Sequence, residues 1–245
     1  FFRSSDLIYK NIKKALPNEP QDKIIKIINE MWGNYGRIFA EYMFIKKFRE
    51  DRSQKNIIIE GQEILNKIRD KGDPVVFVSG HFSNFELMAM QIEKSGINLS
   101  TIYRPLNNYF LNHLMEKIRK NFICKKQIKK GMSGMRELIK LHKKNYSTAL
   151  MIDQRVTEGI KSFFFNHEAF TTTIPAQLVK KFGISIVPIY IERFEEIKFK
   201  MTVYEPINFP EESTLKIITD KLNKVLEKMI LKNPEQWIWS HNRWK

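Results

Sequence analysis

The chain has 245 residues, 42% of them hydrophobic, which suffices for one sizeable core. Its 42 Lys and Arg outnumber 27 Asp and Glu, giving a net charge of +15 and a surface suited to nucleic acid, anionic lipid or an acidic protein. The single cysteine, Cys124, excludes an internal disulfide and any zinc site built from cysteines, and fits a reducing environment. No apolar run reaches the roughly 18 residues that mark a membrane-crossing helix. Phe1 stands where an initiator Met would be, so a preceding segment able to carry a membrane anchor is expected.

Residues 1–50 read as helices. Ile24, Ile25, Ile27, Ile28, Met31 and Trp32 recur on one apolar face. Phe39, Tyr42, Met43, Phe44, Ile45 and Phe48 form a second, bulkier face, suited to core packing or to a membrane surface. A helix is expected over 57–71, ending at Gly72, then a buried strand over 75–79 and a helix from about 87 to Ser95-Gly96. A strand at 99–103 and a helix at 109–121 follow. A Lys-rich stretch, 125–130, leads through Gly131 into a helix ending near 144. Strands at 148–152 and 184–191 flank a helix at 175–182; 198–203 pairs beside the latter strand, and a long helix covers 213–232. Strands alternating with helices predict an α/β fold, a central mixed sheet flanked by helices, with an N-terminal helical extension. The expected boundary separates an extension, 1–56, from an α/β domain, 57–245.

Three polar clusters fall at expected strand C-terminal ends: His81/Asn84/Glu86, Arg104/Asn107/Asn108 and Asp153/Gln154/Arg155. Strands that run parallel bring such ends to one rim, where α/β sheets place their ligands. Gly80 permits a sharp turn after the 75–79 strand. With His81 in that turn and Glu86 one turn into the helix, the carboxylate meets Nδ1 and leaves Nε2 free as a general base. Arg104 offers a planar fork for a phosphate or carboxylate, or a salt bridge to a nearby acid. Asp153 and Arg155 either orient a substrate or pair with each other. The three threonines at 171–173 cap the next helix or help hold an anion. The 125–130 lysines form a solvated face or a dock for an anionic partner. The tail, with Trp237, Trp239 and Trp244 among cations, either anchors at a membrane interface or folds back onto the core. There is no Gly-x-Ser-x-Gly elbow, P-loop, Gly-x-Gly-x-x-Gly or His-Glu-x-x-His.

Gly80-His81-Phe82-Ser83-Asn84-Phe85-Glu86 resembles the His-x4-Asp/Glu motif of glycerolipid-type acyltransferases, and more closely that of the bacterial lipid A biosynthesis acyltransferases, the late lauroyl and myristoyl transferases. Four further blocks are similar in the same order: Tyr103-Arg104-Pro105-Leu106-Asn107-Asn108, Ile152-Asp153-Gln154-Arg155, Phe163-Phe164-Phe165 with Thr171-Thr172 and Pro175-Ala176, and the stretch from Pro234 to Lys245. The resemblance covers most of the chain. It implies an α/β sandwich with a surface cleft, and transfer of a fatty acyl chain from acyl-acyl carrier protein to a hydroxyl of a lipid A precursor. His81 is then the base, oriented by Glu86, with transfer direct rather than through an acyl-enzyme.

Backbone N–H groups of the turn after His81, with Asn84 and Arg104, are candidate oxyanion donors. Substrate contacts are expected at Asn84, Arg104, Asn107, Asp153, Arg155 and Arg243. The Phe-rich segments 39–48 and 163–165 would line the acyl slot. No metal or bound cofactor is expected, only acyl-acyl carrier protein or acyl-CoA as co-substrate. The expected partners are the carrier protein, an anionic lipid surface at the cytoplasmic face of the inner membrane, and a lipid A precursor or other glycolipid, not nucleic acid. The rivals are an acyl-CoA-dependent phospholipid or glycolipid acyltransferase, and a non-enzymatic, basic membrane- or nucleic-acid-binding module.

Overall fold

A computed structural model describes residues 4–51 and 55–245. The parts of the expected 1–56 segment at 1–3 and 52–54 lie outside the described residues. Helices α1 (Ser5–Ala15), α2 (Gln21–Tyr42) and α3 (Ile45–Glu50) lead into β1 (Ile57–Glu60), α4 (Gln62–Lys71), β2 (Val76–Ser79), α5 (Glu86–Lys94) and β3 (Leu99–Tyr103). Next come α6 (Tyr109–Ile118), a π-helical turn (Arg119–Ile123), β4 (Lys126–Lys129), α7 (Met132–His142) and β5 (Ser147–Met151). The chain closes with β6 (Ile160–Phe164), β7 (His167–Thr171), α8 (Ile174–Phe182), β8 (Ile186–Glu195), β9 (Lys198–Val203), α9 (Leu215–Ile230) and a 3-10 turn, Pro234–Gln236.

Seven strands form a mixed sheet in the order β1-β9-β8-β2-β5-β3-β4, as the alternation of elements predicts. β2, β3, β4, β5 and β8 run parallel, and β9 returns antiparallel to β8. The C-terminal ends of β2, β3 and β5 therefore share one rim, and the three polar clusters follow them.

One local expectation changes, and strands appear in two places where none was expected. Residues 57–60 are a strand paired parallel to β9, not the start of a helix. Three isoleucines favour the pleated edge, and Gly61, at φ 84°, breaks the chain before α4. A Cβ at Gly61 would lie 2.4 Å from the Val203 carbonyl oxygen. Within the Lys-rich stretch, β4 is an edge strand, its Ile128 buried and its lysines exposed, a charge pattern that blunts an edge. The β6–β7 hairpin has no Gly or Pro to mark its turn in the sequence, only Asn166. It turns through Phe165 and Asn166, both at positive φ, and packs on α9.

The three N-terminal helices share the core of the sheet. Ile8, Ile12, Ile24, Ile27, Met31 and Phe48 are buried in one apolar cluster with Val76, Phe77, Ile189 and Leu226. The C-terminal tail folds back onto this core, which settles the two readings of its tryptophans. Trp237 and Trp239 are buried, with ring centroids 4.6 Å apart, and Trp244 stacks on Phe164. Asn11 of α1 donates to the carbonyls of Trp239 and His241, at 2.8 and 2.9 Å.

Candidate active site

β2 delivers the chain to Gly80 at the sheet rim. A Cβ there would meet the Phe82 ring at 2.9 Å and Leu226 at 3.0 Å, so glycine is required by space rather than by a left-handed φ. The left-handed residue is Ser83, at φ 43°, held by its N–H donating to the Gln236 carbonyl at 2.8 Å. Phe82 is fully buried and bridges to Trp237. His81 is thus set between two residues anchored to the interior, with its ring edge-on to Phe85 at 4.7 Å.

Asp153, just beyond β5, is the partner of His81. Its Oδ1 lies 2.8 Å from His81 Nδ1, and its Oδ2 accepts the His81 backbone N–H at 2.8 Å and the Trp237 indole N–H at 2.9 Å. His81 Nε2 makes no hydrogen bond among the described residues, and the side chain stays 19% exposed. Burial disfavours the imidazolium, but the adjoining Asp153 carboxylate outweighs it and the His81 pKa is raised. Burial likewise opposes the Asp153 charge, yet His81 and the surrounding N–H donors hold its pKa down to about 2.

Glu86 does not take the Nδ1 position expected of it. Its Oε1 accepts from Arg119 Nε at 2.9 Å, from Arg119 Nη2 at 2.6 Å, and from the Tyr42 hydroxyl. At the first position of α5 its side chain points to α2 and the π-helical turn. It still acts on His81 through space, adding to the pull of Asp153. The next residue back on α2, Glu41, takes Asn84: Asn84 Nδ2 donates to Glu41 Oε2 at 2.8 Å, and Glu41 Oε1 pairs with Arg193 of β8 at 2.5 Å. Asn84 is therefore buried and held as part of the scaffold. Its Oδ1 and the Ser83 hydroxyl are buried without a partner among the described residues.

The expected oxyanion donors are in part committed elsewhere. The N–H groups of His81, Phe82 and Ser83 bond to Asp153, Gly80 and Gln236. Arg104 is exposed at the end of β3 and lines a cleft of about 640 Å³ with Lys130, Arg155, Glu158, His241 and Lys245. Arg155 follows Asp153 by two residues, lies over the Phe170 ring at 5.8 Å, and has a buried Nε without a partner among the described residues. Asn107 is exposed beside the same loop, and Asn108 caps α6 by accepting from the Leu111 N–H at 3.0 Å.

Arg243, expected at the substrate, is wholly buried. It donates to the Phe170 carbonyl at 2.7 Å and to Thr171 Oγ1 at 2.6 Å, and lies over the Phe164 ring at 4.8 Å. Burial lowers its pKa to about 10. It ties the tail to the β6–β7 hairpin, so those contacts replace a substrate role. In the expected acyl-slot segments, Phe48, Phe164 and Phe165 are core residues, whereas Phe39, Phe44 and Phe163 are exposed. Cys124 is buried, and burial pushes its thiol up to about 12, which disfavours the thiolate.

The family model described as bacterial lipid A biosynthesis acyltransferase matches residues 2–245. The chain belongs to that family. Among proteins similar to it, the lipid A biosynthesis lauroyltransferase of Escherichia coli is 24% identical over 99% of this chain and 79% of its own length. The E. coli lipid A biosynthesis palmitoleoyltransferase is 23% identical over the same shares. A lipid A biosynthesis acyltransferase of Haemophilus influenzae is 24% identical over 99% of this chain and 78% of its own. No described helix of this lipid A acyltransferase family member is long and apolar enough to cross a membrane.

Tyr42, Arg119 and Trp237 escaped sequence reasoning as site residues. Tyr42 and Arg119 lie 44 and 33 positions from Glu86, with no motif around either. Trp237 stood in a noticed block, but only the tertiary fold aims its indole at Asp153.

Proposed function

We propose that this protein moves a fatty acyl chain from acyl-acyl carrier protein to a hydroxyl of a lipid A precursor at the cytoplasmic face of the bacterial inner membrane. One observation carries the reading: a rim histidine whose Nδ1 is held 2.8 Å from a buried, ionised aspartate while Nε2 has no bond among the described residues. Asp153, rather than Glu86, fixes the tautomer. His81 Nε2 takes the proton of the acceptor hydroxyl as its oxygen attacks the thioester carbonyl. The tetrahedral oxyanion collapses, the C–S bond breaks, and the departing thiolate recovers the proton from the imidazolium. Asp153 stabilises that imidazolium without itself being protonated. Glu86 contributes a second negative charge near His81 and binds Arg119 and Tyr42.

The cationic cleft of Arg104, Lys130, Arg155 and Lys245 suits the phosphates of the acceptor. The exposed lysines around β4 suit an acidic carrier protein. Direct transfer agrees with a Cys124 thiol too basic and too buried to serve as the nucleophile.

The test is transfer of labelled acyl groups, from acyl carrier protein and separately from CoA, to a tetra-acylated lipid A precursor in detergent. Wild type transfers from the carrier protein, and His81→Ala is slower by about 10²–10⁴-fold. Transfer from CoA alone would move the donor assignment. Folded wild-type protein transferring from neither would sink the reading.

A further inference from the structure

Half of the large exposed apolar side chains among the described residues fall in two short stretches. Of 16, eight are Phe39, Met43, Phe44, Leu106, Tyr109, Phe110, Leu111 and Leu114. α6 has no buried residue, and Phe110 is 84% exposed; Met43, at the end of α2, is 82% exposed. Such a helix has little apolar face packed on the core, only Ile118 at its C-terminal end lying against it.

It is held instead by polar ties at both ends. At the N-terminal end, Leu106 N–H donates to Asn112, and further along the helix Glu116 accepts from the Tyr103 hydroxyl at 2.6 Å. At the other, Arg119 of the following turn grips Glu86 and donates to the Tyr42 hydroxyl at 3.3 Å. That last bond brings the C-terminal end of α2 beside the C-terminal end of α6. The helix therefore runs from the cationic cleft at Arg104 to the Glu86 side of the His81 turn, with its apolar residues facing outward.

The charges around this face are predominantly positive, the exposed Glu50 at its edge pairing with Lys46 at 3.6 Å. Arg37, Lys46, Lys47, Arg104, Lys117 and Lys120 are exposed. The two acids in stretches 36–47 and 104–120 are occupied: Glu41 is buried against Arg193, and Glu116 is bonded to Tyr103 and Asn112. The apolar side chains project from helices rather than line a groove. A folded protein partner would need a matching concavity for each ring; a lipid interface accepts them in any arrangement.

We propose that the α6 face, with the end of α2, inserts into the headgroup region of an anionic lipid bilayer and sets the cleft mouth against it. Apolar residues enter the boundary while the fringe of cations meets anionic headgroups. The proposal rests on the reading of a lipid acceptor, which would reach the cleft from that surface, but its test requires no turnover.

The full chain is floated with phosphatidylcholine vesicles, with and without phosphatidylglycerol. Binding requires the anionic lipid, and Met43→Ser/Phe110→Ser/Leu114→Ser weakens it by about tenfold or more. His81→Ala binds like wild type, so loss of catalysis and loss of docking separate. An environment-sensitive fluorophore on Phe110→Cys shifts to the blue with anionic vesicles, whereas one on Ile217→Cys, exposed on α9, does not; Cys124 is buried and stays unlabelled. Unchanged vesicle binding in the triple variant overturns the proposal. So does equal fluorescence at the two positions, or a defect confined to carrier-protein binding.

Discussion

Asp153 connects the pH behaviour of the site to its geometry. The raised His81 pKa means that the base becomes neutral only above the ordinary histidine range, near 6.5. The rate should rise with pH through a midpoint above that value. Asp153→Asn removes the first partner opposing burial, so the midpoint moves to lower pH while the maximal rate falls by about 10²-fold or more. A pH–rate profile of the two proteins checks this, and an unmoved midpoint would remove Asp153 from the proton chemistry. For stability the signs differ by group. The His81 contribution is complete below its unfolded pKa and is lost as pH rises through the higher folded value. The Asp153 contribution is complete above the ordinary carboxylate range and is lost as pH falls toward about 2. His81 itself was legible in the sequence, because an apolar run ending in Gly-His marks a strand end. Its aspartate was legible only as a polar strand end, since a contact 72 positions away depends on β2 and β5 pairing in register.

α2, α5 and the π-helical turn meet around Glu86. The turn, an uncommon insertion after α6, directs Arg119 back at the α5 N-terminus. Burial and the Glu86 charge raise the Tyr42 pKa, so its hydroxyl remains a protonated donor. Glu86 is nearly buried, its side chain only 9% exposed. Arg119→Met would leave that charge without its cation and should destabilise the protein by about 3–5 kcal/mol. Adding Glu86→Gln to Arg119→Met should restore part of the loss. Urea denaturation of the single and double variants measures both, and equal stability of the single variant and wild type would contradict the argument. Helix and strand identity was mostly legible from periodicity. The strands at 57–60 and β4 are short and their pairing partners lie far along the chain, whereas β6 and β7 pair locally through a turn at Phe165 and Asn166 that carries no glycine.

At the scale of the whole molecule, α1–α3 are integrated with the sheet. Their isoleucines enter its core, Glu41 and Tyr42 hold the His81 turn, and Asn11 holds the tail. A single cooperative thermal transition is therefore expected of the full chain. A chain beginning at residue 55 should lose that transition and bind an exposed-apolar-surface dye, because Ile189, Trp239 and their neighbours lose cover. Calorimetry of the two chains decides it; an undiminished transition in the shorter one would show that 57–245 folds alone. Arg243→Met tests the other clamp. It removes donors to Phe170 and Thr171, and a cost of about 1–3 kcal/mol with unchanged transfer kinetics would mark a structural arginine.

The sequence by itself determined the α/β class, the rim location of His81, Arg104 and Asp153, and the family resemblance. Those follow from local periodicity, strand-end punctuation and short motifs, all carried within a few residues. Only the tertiary structure decided which carboxylate meets His81, that the tryptophan tail and Arg243 are interior, and that α6 is left uncovered. Each of these is a matter of long-range packing: which charge finds its partner depends on where parallel strands and distant helices converge, and no local pattern encodes that distance.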